Sequence, residues 1–322
     1  MPFQPHRKAL SASEQKIYDD ISKCLISRAE SVSVCEKDFA LIGRIFELVK
    51  LDNPYLYYVE SVQVETYSNS SITTVIPVYN AYKDDLTARQ QIEYIGQKVV
   101  SRTQKTDVWN TLLYLHDRIC KCVTYENTGD DAHTIFGVLL NNRAVCDGIS
   151  KTFKFFCDLQ GIPCCVVTGR AKQSYDAVGF EAHAWNKVFF KGSWFNVDVT
   201  YDLTISDKDH IRHDYFLVND RSISGSHKED FADFSATKSD EDYYSVNNLV
   251  MNTQKDLEQY IKVNYKKGVR FFEIKLPAAQ NVDAVKKKIF NVVIQALSFE
   301  NVTRKIEVSS NKNMLIFGIR IL

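Results

Sequence analysis

Apolar residues recur along the chain with two different periods, and the changes between them divide it into segments. Ile17, Ile21, Cys24 and Leu25 fall at helical spacing behind Ser11-Ala12-Ser13-Glu14, a capping box that opens a helix. Phe39, Ile42, Phe46 and Val49 mark a second helix that ends before Asn53-Pro54. From Tyr57 to Tyr67 and from Ile72 to Val78, β-branched and aromatic residues predict a strand pair turning near Ser68-Asn69-Ser70. A charged helix is expected over 84–100. A stronger one over 107–122 carries Trp109, Leu112, His116 and Ile119 on one stripe, so His116 reads as a satisfied core histidine.

Asn127 to Ala132 reads as a loop, and a short helix through Ile135, Val138 and Leu139 leads to Asn142-Arg143-Ala144-Val145-Cys146-Asp147-Gly148. A helix begins at Cys146, with Ile149, Phe153, Phe156 and Cys157 on its apolar face; Gly161 stops it and Pro163 follows. Pro163 to Thr168 is a buried strand whose Cys164 and Cys165 point to opposite faces, which disfavours both a metal pair and a mutual disulfide. Gly169 to Glu181 is a loop. The alternating runs His183–Phe190 and Ser193–Val199, joined at Lys191-Gly192, form a hairpin. Residues 203–248 read as polar and loop-rich. Beyond 250 come a short helix, a strand over 269–276, a helix through Val282, Val285, Ile289 and Val293, and strands near 303–308 and 314–321. The expected fold is α+β: an N-terminal helical and hairpin region (1–100), a core (101–248) and a C-terminal βαββ unit (249–322).

Composition narrows the classes. Lys+Arg and Asp+Glu both number 40 in 322 residues, so no strong pull toward nucleic acid or an anionic membrane is expected. The hydrophobic fraction of 45% argues for a packed core. The N-terminus lacks the apolar run of a signal peptide, no stretch is long enough to span a bilayer, and eight cysteines lack framework spacing; reduced thiols in a cytoplasm are expected. The sequons at Asn69 and Asn301 then carry no meaning. Cys120-Lys121-Cys122 lies on a helix, where residues two apart do not face each other, and His210 with His213 is an HxxH spacing without helical periodicity. No metal and no cofactor is expected, and nothing in the sequence sets an oligomeric state.

Chemistry gathers at Cys146. A cysteine at a helix N-terminus sits beside unpaired amides and the positive end of the helix dipole, which favours thiolate, and the same amides can receive an oxyanion. The hairpin supplies a partner. A two-residue turn at Lys191-Gly192 pairs Phe190 with Ser193 and sets Asp198 opposite Trp185. His183 then lies diagonal to Asp198 on the same face, about 7 Å away at the backbone. His183 can take a proton from Cys146 and return it to a leaving amine, while Asp198 fixes the imidazole.

Ala144-Val145-Cys146-Asp147-Gly148, Glu181-Ala182-His183-Ala184-Trp185-Asn186 and Trp194-Phe195-Asn196-Val197-Asp198-Val199-Thr200-Tyr201-Asp202 together closely resemble the transglutaminase-like core, in its bacterial and archaeal branch within the papain-like cysteine-hydrolase superfamily. The resemblance covers about residues 105–220. It implies a papain-like arrangement, with the Cys146 helix packed on an antiparallel sheet, and a Cys146–His183–Asp198 triad acting on an amide of a protein or peptide by hydrolysis or acyl transfer. Ile149 replaces an aromatic common in the family, and Tyr201 replaces a Trp. The loops 169–181 and 203–225 border the triad and are expected to wall a cleft, with Trp185, Tyr201 and Tyr175 as its apolar lining. The rival reading is a non-catalytic protein-binding module on the same fold.

Overall fold

The computed structural model describes residues 3–66, 70–172, 179–230, 234–277, 281–298 and 304–322. Helices α1 (Pro5–Ala9) and α2 (Ala12–Ser27), strand β1 (Val32–Val34), helix α3 (Phe39–Asp52), strands β2 (Val59–Thr66) and β3 (Thr73–Tyr79) and helix α4 (Leu86–Val100) form the first part. Then come α5 (Val108–Cys122), β4 (Thr124–Tyr125), β5 (Arg143–Ala144), α6 (Cys146–Gln160), β6 (Cys164–Ala171), β7 (Glu181–Phe190), β8 (Ser193–Val197), α7 (Val199–Ile205), β9 (Phe216–Val218), α8 (Asp220–Ile223), β10 (His227–Glu229) and α9 (Tyr243–Val246). The last part is α10 (Gln254–Lys266), β11 (Phe271–Lys275), α11 (Val282–Leu297), β12 (Ile306–Asn311) and β13 (Ile316–Ile321).

The architecture is α+β with antiparallel main sheets. The central sheet runs β10-β6-β7-β8-β9, and α6 packs against β6 and β7. The periodicity that predicts α6 is also what docks it: Ile149, Phe153 and Phe156 are buried, each contributing roughly 1.5–3 kcal/mol of burial. The capping box at Ser11 is formed as the sequence predicts. Lys191 and Gly192 take φ of 46° and 75° in a two-residue turn, which fixes the register Phe190↔Ser193 through Asn186↔Val197.

One hydrophobic cluster runs from Leu10 in the N-terminal helices to Leu217 in β9, so the first hundred residues share a core with the sheet. The C-terminal unit has its own core around Ile261, Phe272, Val293 and Phe317. It docks through a buried ionic joint: Arg212 pairs with Asp214 at 2.8 Å and with Glu273 at 2.8 Å, and Asn311 donates to Asp214 at 3.0 Å.

Three expectations need correction. β6 continues through Gly169, Arg170 and Ala171, taking part of the expected loop into the sheet. β8 stops at Val197 rather than Val199, because Asp198 caps α7: its carboxylate accepts the Tyr201 N–H at 3.0 Å. The polar stretch 203–248 contains β9, α8, β10 and α9. No helix among the described residues is long and apolar enough to cross a membrane.

Candidate active site

Cys146 opens α6, where the first N–H groups have no intrahelical partner and the dipole is positive. The turn before it is locked from outside. The Val145 N–H donates to the Ala132 carbonyl at 3.1 Å, and a Cβ on Gly148 would run into that same oxygen. Only glycine lets the 130–133 segment lie so close to the first turn, a physical reason for the Cys-x-Gly spacing. Asp147 turns away and accepts from His133 at 2.9 Å and Lys151 at 3.3 Å.

His183 stands near the start of β7, and its Nε2–H donates to Asp198 Oδ2 at 2.7 Å. The other side of the ring adjoins Cys146, which contributes a hydrogen bond and charge to it. Burial opposes a charged imidazole here. Asp198, by charge and hydrogen bond, and then Cys146 outweigh that and push the His183 pKa up to about 10. Burial likewise opposes a charged Asp198, but His183 and then His227 hold its carboxyl well below the usual carboxylate range. The site is thus arranged to keep an imidazolium between a carboxylate and the Cys146 sulfur.

Cys146, His183 and Asp198 are therefore brought together. Trp185 is 1% exposed; it stacks on His183 with ring centroids 6.0 Å apart and donates its indole N–H to Asn196 at 3.0 Å. It supports the imidazole from beneath instead of lining an open wall, because the face it occupies is covered by Tyr215, Val218, Tyr244 and Ile316. Tyr201 is half-buried and lies edge-on to His183, at 5.3 Å between ring centroids. Tyr175 lies outside the described residues. His210 and His213 do not share a site: His210 faces Asp207 and Phe271, while His213 bonds Asp117 at 2.8 Å and stacks on Tyr243. His116 is buried with both ring nitrogens bonded, to Asp117 at 3.0 Å and to Asp202 at 3.1 Å. In the His116–Asp117–His213 cluster the side chains hydrogen-bond one another, Asp117 accepting from both histidines.

Two residues escaped sequence reasoning. His227, on β10, donates Nε2–H to the same Asp198 Oδ2 at 2.9 Å. A lone histidine in a three-residue strand within a polar stretch gives no periodic signal. Tyr125 is 45% exposed beside the site. Burial raises its pKa first, followed by the nearby Cys146 and Asp198. Its register opposite Ala144, two residues before the cysteine, puts it there. A separate cavity of about 440 Å³, lined by Lys50, Tyr57, Lys83, His133, Asp147 and Lys151 among others, flanks this region on the Asp147 side.

Residues 95–199 match the core of the Transglutaminase-like superfamily. Kyphoscoliosis peptidase of Homo sapiens is 34% identical over 77 residues, covering 22% of this chain and 11% of that protein. The Mus musculus protein is 32% identical over 77 residues. The chain thus spans 11% of the length of these curated relatives. Among solved structures, a TGase overlaps with a TM-score of 0.32 at 15% identity, covering 56% of this chain and 53% of that one. A putative cysteine protease from Cytophaga hutchinsonii overlaps with a TM-score of 0.31 at 12% identity, covering 57% and 68%. Overlaps this partial carry no functional weight.

Proposed function

From the premise that residues 95–199 carry a transglutaminase-like core, we propose that the chain is a thiol-dependent enzyme that cleaves or transfers an amide of a protein or peptide through Cys146, His183 and Asp198. The observation that carries this reading is the 2.7 Å His183–Asp198 hydrogen bond on an imidazole whose other side meets the cysteine at a helix N-terminus. Cys146 sulfur attacks the amide carbon, and the carbonyl oxygen becomes an oxyanion facing the unpaired N–H groups at the start of α6. His183 gives its proton to the departing amine, and the C–N bond breaks to leave a thioester on Cys146. Water, deprotonated by the now neutral His183, attacks the thioester; the acid leaves, and the thiolate–imidazolium pair is restored. A second amine in place of water gives transfer instead. Asp198 holds the ring tautomer and stabilises the imidazolium throughout. The peptidase name of the matched relatives favours water as the acceptor. Tyr125, 45% exposed, and Tyr201, edge-on to His183, are assigned to substrate contact; Trp185 is assigned to support of His183.

The test is limiting iodoacetamide followed by peptide mapping, then a screen of peptide pools for new termini and for released ammonia. The expected result is first modification at Cys146, slowed in His183→Ala, and peptide turnover lost in Cys146→Ser. First modification at another cysteine would remove the basis for the assignment. New termini identify a peptidase, whereas ammonia without new termini identifies a side-chain amidase.

A further inference from the structure

Asp198 Oδ2 receives two imidazoles, His183 Nε2 at 2.7 Å and His227 Nε2 at 2.9 Å, while Oδ1 receives the Tyr201 N–H at 3.0 Å. We propose that His227 is a positioning residue for the triad: it clamps Asp198 from the far edge of the sheet and takes up part of the carboxylate charge that would otherwise act on His183. This rests on the acyl-transfer reading above.

The sheet is built to let His227 reach that far. β10 pairs with β6, placing His227 opposite Ala171 and Glu229 opposite Gly169; on the other side of β6, Ala171 faces Glu181 and Gly169 faces His183. The middle strand thus presents only a methyl group and a hydrogen on the face shared by both histidines. A Cβ on Gly169 would run into the Lys228 carbonyl and touch the Trp185 ring. Over this low strip the His227 ring lies 5.1 Å from Trp185 and 5.6 Å from His183, centroid to centroid. Its side chain is 1% exposed.

Its hydrogen bonds define a tautomer. Asp198 requires a proton on Nε2. Nδ1 lies 2.8 Å from the Ser226 oxygen, which is also 3.2 Å from the Ile223 carbonyl; in the neutral ring Nδ1 is an acceptor, and the single hydroxyl proton turns to it as the nearer of the two. The titratable groups facing the ring are Asp198, His183, Tyr201 and Tyr215. Burial pushes His227 below its ordinary pKa, and Asp198 recovers only part of that. His227 is therefore a neutral donor where His183 is charged, and two like charges do not meet at one carboxylate oxygen. A carboxylate that accepts three hydrogen bonds is fixed in plane and less available to raise the basicity of His183.

Alkylation of Cys146 by limiting iodoacetamide, followed from acid to alkaline pH, tests this in the wild-type chain, His183→Ala, His227→Gln and His227→Phe, each checked for folding by its thermal midpoint. If His183→Ala reacts like the wild type, the acyl-transfer reading itself fails, whatever His227 does. With His183→Ala slow, His227→Gln keeps an N–H for Asp198 and should leave the alkaline inflection in place. His227→Phe should move that inflection up by about one pH unit, as Asp198 then acts undivided on His183. A packing role alone would lower the midpoint without moving the inflection, and an unmoved inflection in folded His227→Phe overturns the proposal. Should that variant not fold, nitrogen NMR of the wild-type imidazoles decides. The expected state near neutral pH is a neutral, Nε2-protonated His227, and an Nδ1-protonated neutral ring overturns the proposal.

Discussion

Cys146, His183 and Asp198 have a counterpart in Cys120, His116 and Asp202, made of the same three residue types. In the second grouping the sulfur lies 3.9 and 4.0 Å from the two ring nitrogens of His116, nearly equidistant from them, and both nitrogens are taken by carboxylates. Cys120 stands in the last turns of α5, at the negative end of the dipole, with its thiol directed to the Val199 carbonyl. Burial pushes its thiol pKa up, more than His116 lowers it. Asp202, raised by burial against the pull of His116, also accepts the Tyr215 N–H. That grouping ties α5 to α7 and the strand beyond. The first has the cysteine at the positive end of a helix and one imidazole side turned to it. The difference lies in helix end, ring partners and access, not in residue type.

His183→Ala should slow Cys146 alkylation by about a hundredfold while Cys120 stays unmodified; equal rates at the two thiols would erase the distinction. His116→Ala should leave Asp202 buried without its partner and destabilise the fold by about 3–5 kcal/mol, read from chemical denaturation, with Cys146 alkylation unchanged in the folded protein. The pH dependence sharpens the contrast. His183 is held above its ordinary 6.5, so its contribution to stability is full below that pH and is lost as pH rises through about 10. Asp198 is held low, so its contribution is full above about pH 4 and is lost as pH falls below its ordinary range. The gap in melting temperature between the wild type and His183→Gln should therefore be widest between about pH 4 and 6.5 and should narrow toward about pH 10. The smallest effect belongs to Cys120→Ala: a loss of about 1 kcal/mol in denaturation and no change in thiol reactivity at Cys146.

Much of this was legible where local rules suffice. The two-residue turn at Lys191-Gly192 sets the hairpin register, and that register brings His183 within reach of Asp198. The strong periods of α6 and of the C-terminal βαββ unit gave their elements directly. What stayed hidden depends on distant partners. β9 and β10 are three residues each and exist because β8 and β6 offer free edges. Asp198 falls within the expected run Ser193–Val199 because its capping of α7 shows only once the chain turns there. Lys187 is buried in mid-strand because Asp220 and Glu229, both from beyond β8, close on its ammonium.

The joint at Arg212 bears on where this molecule can be cut. The segment from α7 to β9 supplies the Tyr215 carbonyl that holds the Asp198 N–H at 3.0 Å, and it is fastened by Arg212 and Asp214 to Glu273 and Asn311 of the C-terminal unit. At the other end, Lys154 of α6 donates to the Phe3 carbonyl at 2.8 Å, and the His6 ring lies 2.9 Å from the Val166 carbonyl of β6. A fragment trimmed to residues 95–199 would keep Cys146, His183 and Asp198 yet lose both fastenings. It would expose charged groups that now neutralise one another. For transplantation or deletion work, the smallest faithful unit is therefore the chain from its first helices through its last strand.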